Sequence, residues 1–345
     1  MTGGLTVPQA RGIRPLRSQG GIALIMVLWI LSLLAVLALE LSYAARTELK
    51  IASNTKEETQ NYYIARAGIE RGIAQILAQA NEQPGLEKWN FGGEKTEISF
   101  GKGIMEIAVT DEAGKINVNT MNDANLTVVL RQILMNSIGV EERTQETVID
   151  SILDWRDLDS LHRPNGAEDD YYRLLPRPYS AKNGRLDSLD ELVMVKGVTA
   201  EIFSGKPRPD AVGTDTPRFG LKDILTVYPR FGRNQKPNIN AAPFAVLVAL
   251  GATEEEAKNV MDYRFHNPIE GRDQLREALG ASTLPPWTIQ FSFRSAMIEK
   301  AFTVEASGHS DGSGLRRRVR ALVTVRDNQP LVFRVARWVD RPKGE

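Results

Sequence analysis

Residues 20–39 read GGIALIMVLWILSLLAVLAL, and this stretch decides the fold. Arg11, Arg14 and Arg17 precede it, no acidic residue occurs before Glu40, and Ser32 is the single polar residue between Ile22 and Leu39. An apolar run of roughly 18 residues or more is long enough to cross a bilayer as a helix. A cleaved secretory signal carries a shorter run before a small-residue site, of which Ser42-Tyr43-Ala44 is one version. Here the run continues into more helix. No Gly or Pro occurs from Ile22 to Ala67, and Tyr62, Ile69, Ile73, Ile76 and Leu77 recur at helical spacing. Gly68 and Gly72 cost such a helix little, and Pro84-Gly85 is expected to end it. At 1.5 Å per residue the predicted helix is roughly 90 Å long.

A basic leader ending in Gly, an apolar stretch kept after cleavage and a continuing amphipathic helix resemble the class III signals of type IV pilins and type II secretion pseudopilins. The resemblance implies a prepilin peptidase cut between Gly21 and Ile22, so that the mature chain begins Ile22-Ala23-Leu24-Ile25-Met26. Pilins commonly carry Glu at the fifth mature position, which pairs with the terminal ammonium of a neighbouring subunit. This chain has Met26 there. An unpaired carboxylate in hydrocarbon is costly, so a neutral residue suits a tip subunit with no neighbour beyond it. A plain membrane anchor without a filament role is the alternative. The positive-inside rule keeps the basic leader cytoplasmic and places the bulk in the periplasm, a single pass of a Gram-negative inner membrane.

The chain has 345 residues, equal numbers of basic and acidic side chains, and no Cys. That length exceeds one ordinary compact domain. Zero net charge gives no bulk attraction for nucleic acid, and disulfides and thiolate metal sites are excluded. Strand-like sequence falls in two distant groups. Glu97 to Phe100 and Ile104 to Thr110 form the first, followed by the turn Asp111-Glu112-Ala113-Gly114; Phe302 to Ala306, Val319 to Val325 and Leu331 to Trp338 form the second, with turns at Asp311-Gly312-Ser313-Gly314 and Asn328-Gln329-Pro330. A lone hairpin is marginal in water, so one sheet built from both groups against the N-terminal helix is the economical solution. The expected fold is α+β: a pilin-like long N-terminal helix packed on a small antiparallel sheet, with a large inserted α-helical domain. The expected divisions are a leader 1–21, an anchor and spine helix 22–94, a first β part 95–119, the helical insertion 120–286 and a second β part 287–345.

The insertion contains a repeat. Asn117-Val118-Asn119, Gly139-Val140 and Asp154-Trp155-Arg156 recur in order as Asn238-Ile239-Asn240, Gly251-Ala252 and Asp262-Tyr263-Arg264. Asp190, Leu192 and Gly197-Val198 then match Asp273, Leu275 and Gly280-Ala281 at identical spacing. An ordered series of this kind argues for two related helical units, each resembling a helix-hairpin-helix. Such units often bind DNA through backbone amides at a helix end. The hairpins here, Lys196-Gly197-Val198-Thr199 and Leu279-Gly280-Ala281-Ser282, lack the usual second Gly, which favours packing or protein contact.

The first repeat carries a long acidic loop between Arg156 and Asp190. Asp157, Asp159, Glu168, Asp169 and Asp170 lie on it, Asn165-Gly166 makes a turn within it, and Asp154 stands just upstream. Hard oxygen ligands on a loop suit calcium, although Leu161 and His162 occupy positions that rule out an EF-hand. The competing account is a solvated acidic loop neutralised by Arg156, Arg163 and Arg173.

Asp111 to Asn119, Leu153-Asp154-Trp155-Arg156-Asp157, Gly166 to Tyr172 and Asp190 to Val198 together resemble the blocks of the type II secretion minor pseudopilin K family. The resemblance runs from Gly21 to Trp338 and includes the missing fifth-position Glu. It implies a subunit that caps the pseudopilus tip and nucleates its assembly for export of folded proteins across the outer membrane. It also implies as partners the minor pseudopilins I and J, other pseudopilins, the inner-membrane assembly platform and prepilin peptidase, with secreted substrates or the secretin as further contacts, and calcium in the helical domain. Two alternatives remain: a minor pilin of type IV pili and a membrane-tethered helix-hairpin-helix DNA-binding protein. Catalysis finds no support. Gly308-His309-Ser310-Asp311-Gly312 matches G-x-S-x-G, but that motif needs a strand followed by a helix, and a strand follows here. His162, His266 and His309 are scattered. On the strand around Arg318, Arg316, Arg318 and Arg320 should share one face and Arg317 the other, while Trp155, Trp287 and Trp338 are expected in cores or subunit contacts.

Overall fold

The computed structural model describes residues 20–81, 83, 87–205, 219–229, 235–293, 299–310, 314–326 and 332–340. The leader before Gly20, Pro84-Gly85 and the turns at Asp311-Gly312-Ser313 and Asn328-Gln329-Pro330 lie outside the described residues.

Helix α1 runs from Gly20 to Ala80. Its part up to Glu57 belongs to one unit of the chain, and everything from Glu58 belongs to a second. Within the first unit, Ile22 to Lys56 is exposed on every side. From Ile22 to Leu39, where Ser32 is the single polar residue, a helix that buries none of its surface needs a solvent other than water. The Ile22 window meets the length and composition of a membrane span.

In the second unit, α1 packs on a five-stranded antiparallel sheet: β1 (Gly92–Phe100), β2 (Gly103–Asp111), β5 (Glu299–Ser310), β6 (Arg317–Arg326) and β7 (Val332–Val339), in the order β1-β2-β5-β6-β7. The two distant strand groups join where β2 pairs β5, from Gly103 opposite Ser310 to Asp111 opposite Phe302. Ile64, Ile69, Ile73 and Ile76 of α1 meet Ile107, Val109, Val304, Ala306 and Val323 in one buried cluster. Gly68 and Gly72 have a packing reason. A Cβ at Gly68 would stand 2.8 Å from the Ala306 methyl, and one at Gly72 would stand 2.6 Å from Val304 Cγ1. Small residues there let helix and sheet approach closely.

Three expectations need correction. Helix α1 ends at Ala80, before Pro84: Gln79 exchanges hydrogen bonds with Trp89, donating to its carbonyl at 3.1 Å and accepting from its N–H at 2.7 Å, and this ties the returning strand to the last turn. Strand β1 begins at Gly92, within the stretch assigned to the spine. Ile116, Val118, Trp287 and Phe291 belong to the helical core and not to the β parts. The Asn-x-Asn segments and the 3-10 turn Pro286–Gln290 are pulled into that core by their apolar residues.

The helical part comprises α2 (Asp123–Ile133), α3 (Glu142–Arg156), α4 (Asp169–Tyr172), α5 (Ala200–Ser204), α6 (Leu221–Ile224), α7 (Phe244–Ala249), α8 (Glu254–His266) and α9 (Arg272–Leu279). A two-residue parallel pair, β3 (Ile116–Asn117) with β4 (Leu225–Thr226), closes it. Trp155 and Trp287 are buried in this core, and Trp338 packs against the sheet core. The arginine alternation holds. Arg316 and Arg320 pair with Glu106 and Glu305 on one face of the sheet, while Arg317 reaches Glu58 of α1 on the other. Gly308 to Ser310 end β5, and the chain resumes as strand at Arg317, so the geometry of a nucleophile elbow is not present among the described residues.

Candidate functional site

The repeat is real at the level of individual hydrogen bonds. Asn119 N–H donates to Asn117 Oδ1 at 2.9 Å, and Asn240 N–H donates to Asn238 Oδ1 at 3.0 Å. Asn119 then clasps Leu186 through both its amide N and O, at 2.8 and 2.9 Å, and Asn240 clasps Ile269 in the same way at 2.9 and 2.8 Å. Arg156 donates to the carbonyls of Val118 and Met121; Arg264 donates to those of Ile239 and Ala242 at 2.7 Å. Gly139, Gly197, Gly251 and Gly280 all take positive φ, between 59° and 109°, a region that Gly enters without steric cost. The shared Asn-x-Asn, Arg and Gly positions are therefore structural, closing each unit on itself.

The acidic loop is gathered around α3. Asp154 is fully buried and accepts from Arg163 Nη1 at 2.7 Å and from the Ala167 N–H at 3.0 Å. Gly166 is required beside it, because a Cβ there would fall on the Asp154 carboxylate. Arg163 also takes Asp157 Oδ2 at 2.7 Å and Asp123 Oδ2 at 2.8 Å. Asp159 Oδ1 accepts the Leu161 N–H at 2.9 Å. Asp169 and Asp170 turn elsewhere: Asp169 pairs with Arg173 and accepts from Ala181 N–H, and Asp170 accepts from Tyr171 N–H.

Glu168 is the exception. It is buried, and both its carboxylate oxygens lack a hydrogen-bond partner, as do Asp157 Oδ1 and Asn183 Oδ1. Burial, with Asp154 and Asp157 nearby, pushes the Glu168 carboxyl up to about 7, and the adjacent Asn183 amide, although outside geometric hydrogen-bond range, offsets this only in part. Burial also raises Asp154, against the pull of Arg163. Uncompensated carboxylate oxygens inside a protein are costly, and a hard cation is one group that satisfies several at once. The described carboxylates and imidazoles do not themselves converge in threes at ligating distance. Asn183 was not among the residues singled out from sequence. It sits well beyond the acidic run, and only the loop's return, with Asn183 donating to the Asp159 carbonyl at 2.8 Å, brings it in.

At the other end of the chain, Gly21 and Ile22 lie in the first turns of α1, and Met26 is exposed on it within the apolar stretch. An apolar helix that continues into a helix-on-antiparallel-sheet core, with a helical insertion between β2 and β5, defines a pilin-like subunit. The family described as "Type II secretion system (T2SS), protein K" matches residues 114–205. A type II secretion system protein K from Aeromonas hydrophila is 25% identical over 340 residues, covering 92% of this chain and 97% of its own length. One from Pectobacterium carotovorum subsp. carotovorum is 29% identical over 201 residues, covering 54% of this chain; the chain spans 60% of that relative's length. Among solved structures, a chain from the crystal structure of the GspK-GspI-GspJ complex of the enterotoxigenic Escherichia coli type 2 secretion system aligns with a TM-score of 0.55. It shares 16% sequence identity and covers 85% of this chain and 100% of its own. At that identity the likeness speaks for the fold.

Proposed function

We propose that this chain is a minor pseudopilin of a type II secretion system, standing at the tip of the pseudopilus with the minor pseudopilins I and J and helping to nucleate the filament that moves folded proteins across the outer membrane. The observation that carries this is the single helix α1, exposed and apolar from Ile22 to Leu39 and packed on a pilin-like sheet from Ile64 onward. An exposed apolar helix is suited first to lipid and then to other helices of the same kind. The large insertion suits a cap, since a repeating shaft subunit has to stack on copies of itself. The basic leader faces the cytoplasm and the sheet and insertion face the periplasm. Prepilin peptidase releases the leader between Gly21 and Ile22, and Met26 places no carboxylate in the bilayer.

In the acidic loop the unpartnered oxygens of Asp157, Glu168 and Asn183 fit a calcium ion, with Asp154 and Asp159 adding negative charge. Asp169 and Asp170, committed to other partners, are not needed. The ion would supply the positive charge the cluster lacks and fasten the loop to α3; its role is structural.

The test is coexpression with and without a prepilin peptidase, followed by N-terminal sequencing and by copurification with tagged minor pseudopilins I and J. A peptidase-dependent start at Ile22 and a stoichiometric complex are expected. A start after Ala44, or a processed chain that ignores both partners, overturns the proposal.

A further inference from the structure

The two repeats close their arginines differently. In the first, Arg156 caps its two carbonyls and also pairs with Asp123, the first residue of α2. The matching first residue of α7 is Phe244, so the second repeat has no acid of its own at that place. Arg264 is nevertheless buried, and its Nε and Nη2 have no hydrogen-bond partner. A buried guanidinium with two idle donors is a group in need of an anion.

The anion comes from the sheet. Strand β1 pairs β2 with Gly92 opposite Thr110 and Lys95 opposite Ala108, so Gly93 and Glu94 together face one residue of β2. This is a bulge, a device that re-aims a side chain, and Gly93 supports it with φ of +95°. The re-aimed residue is Glu94, whose two carboxylate oxygens are buried and unpartnered. The two idle groups flank one spot without a direct hydrogen bond: a Cβ built on Gly92 would lie 2.7 Å from Arg264 Nη2 and 3.0 Å from Glu94 Oε1. Burial lowers the Arg264 guanidinium to about 10, and the Glu94 charge acts to raise it again. The close approach depends on Gly92 having no side chain.

We infer that Glu94 and Arg264 form an electrostatic latch between the sheet and the second repeat, in which the bulge at Gly92-Gly93-Glu94 lends the helical insertion the acid that its own repeat lacks. The latch fixes the orientation of the insertion on the spine-bearing sheet, a role separate from the carbonyl capping that Arg264 shares with Arg156. It requires no partner protein and does not depend on the calcium assignment.

The chain has no Cys, so paired spin labels can be placed on exposed Lys102 and Lys258 of the full-length protein in detergent micelles, with a Lys102–Glu141 pair reporting on the first repeat. Expected for Glu94→Gln is a broadened Lys102–Lys258 distance distribution with unchanged helix content and an unchanged Lys102–Glu141 distribution. Glu94→Asp, which keeps the charge, should stay closer to the parent. Arg264→Gln combined with Glu94→Gln should broaden the distribution no further than Arg264→Gln alone. If Glu94→Gln leaves the distribution as narrow as the parent, or if the two substitutions act additively, Arg264 only caps carbonyls and the latch is wrong.

Discussion

Glu168 carries two buried oxygens without a hydrogen-bond partner of good geometry and only the Asn183 amide adjacent, and that makes it the residue on which the calcium proposal turns. Its neighbours Asp154 and Asp157 are both acidic, and Arg163 is shared among Asp123, Asp154 and Asp157, which leaves no cation for Glu168. A ligand that binds only the folded chain raises its stability in proportion to the logarithm of its excess concentration, by about 2.7 kcal/mol at a hundredfold excess over Kd. Calcium added to chelator-treated protein should therefore raise the melting temperature by several degrees, and Glu168→Gln should abolish most of that gain while being no less stable than the parent in chelator. A parent protein indifferent to calcium would mean that Arg163, Asn183, Lys196 and the Ala167 N–H hold the loop without a metal. The sequence showed where the acids cluster but not which of them are committed. Asp169 and Asp170 looked equivalent to Glu168 until the backbone N–H groups of Ala181 and Tyr171 claimed them. Asn183 gave no signal at all, because a lone amide is read as a ligand only once the chain folds back on it.

At the scale of elements, periodicity carried most of the information. The 3.6-residue recurrence from Tyr62 to Leu77 and the alternation in β2, β5 and β6 come from burial on one face, and burial is what the sequence encodes most directly. The ends of elements depend on single tertiary contacts, as with Gln79 holding Trp89, and were read less well. The two-residue strands β3 and β4 are too short to leave any pattern. Gly68 and Gly72 show how an element-level reading goes astray: in a helix alone they are weak points, whereas against β5 they are the points of closest approach. Gly72→Leu should raise local helix propensity yet destabilise the protein by about 1–3 kcal/mol or more through overpacking against Val304. Urea unfolding of the full-length chain measures this, and an unchanged or raised midpoint would mean that the helix can lift off the sheet at little cost.

For the molecule as a whole, the two hydrophobic cores share no residue. The sheet core draws on residues between Tyr62 and Val109 and between Phe302 and Trp338, and the helical core on residues between Ile116 and Phe293. The chain leaves the sheet at Asp111 and returns to it so that Phe302 pairs with Asp111 in register. The two ends of the insertion therefore lie side by side, which is the geometry that tolerates removal of whatever lies between them. Replacing the segment between Asp111 and Phe302 with a short Gly-containing hairpin turn should leave a chain that retains α1 and folds the five-stranded sheet, since three or more strands against a helix suffice for independent stability. It gives up the Glu94–Arg264 latch and the Glu112–Thr303 and Arg337–Asp190 contacts, all of which join the sheet to the removed segment outside the sheet's hydrophobic cluster. Circular dichroism with a cooperative thermal transition, and amide protection in β2, β5 and β6, would show the sheet intact. A molten, unprotected product would mean that the insertion is part of what folds the sheet, and the full-length chain would then unfold in one transition in place of the two that separate cores predict.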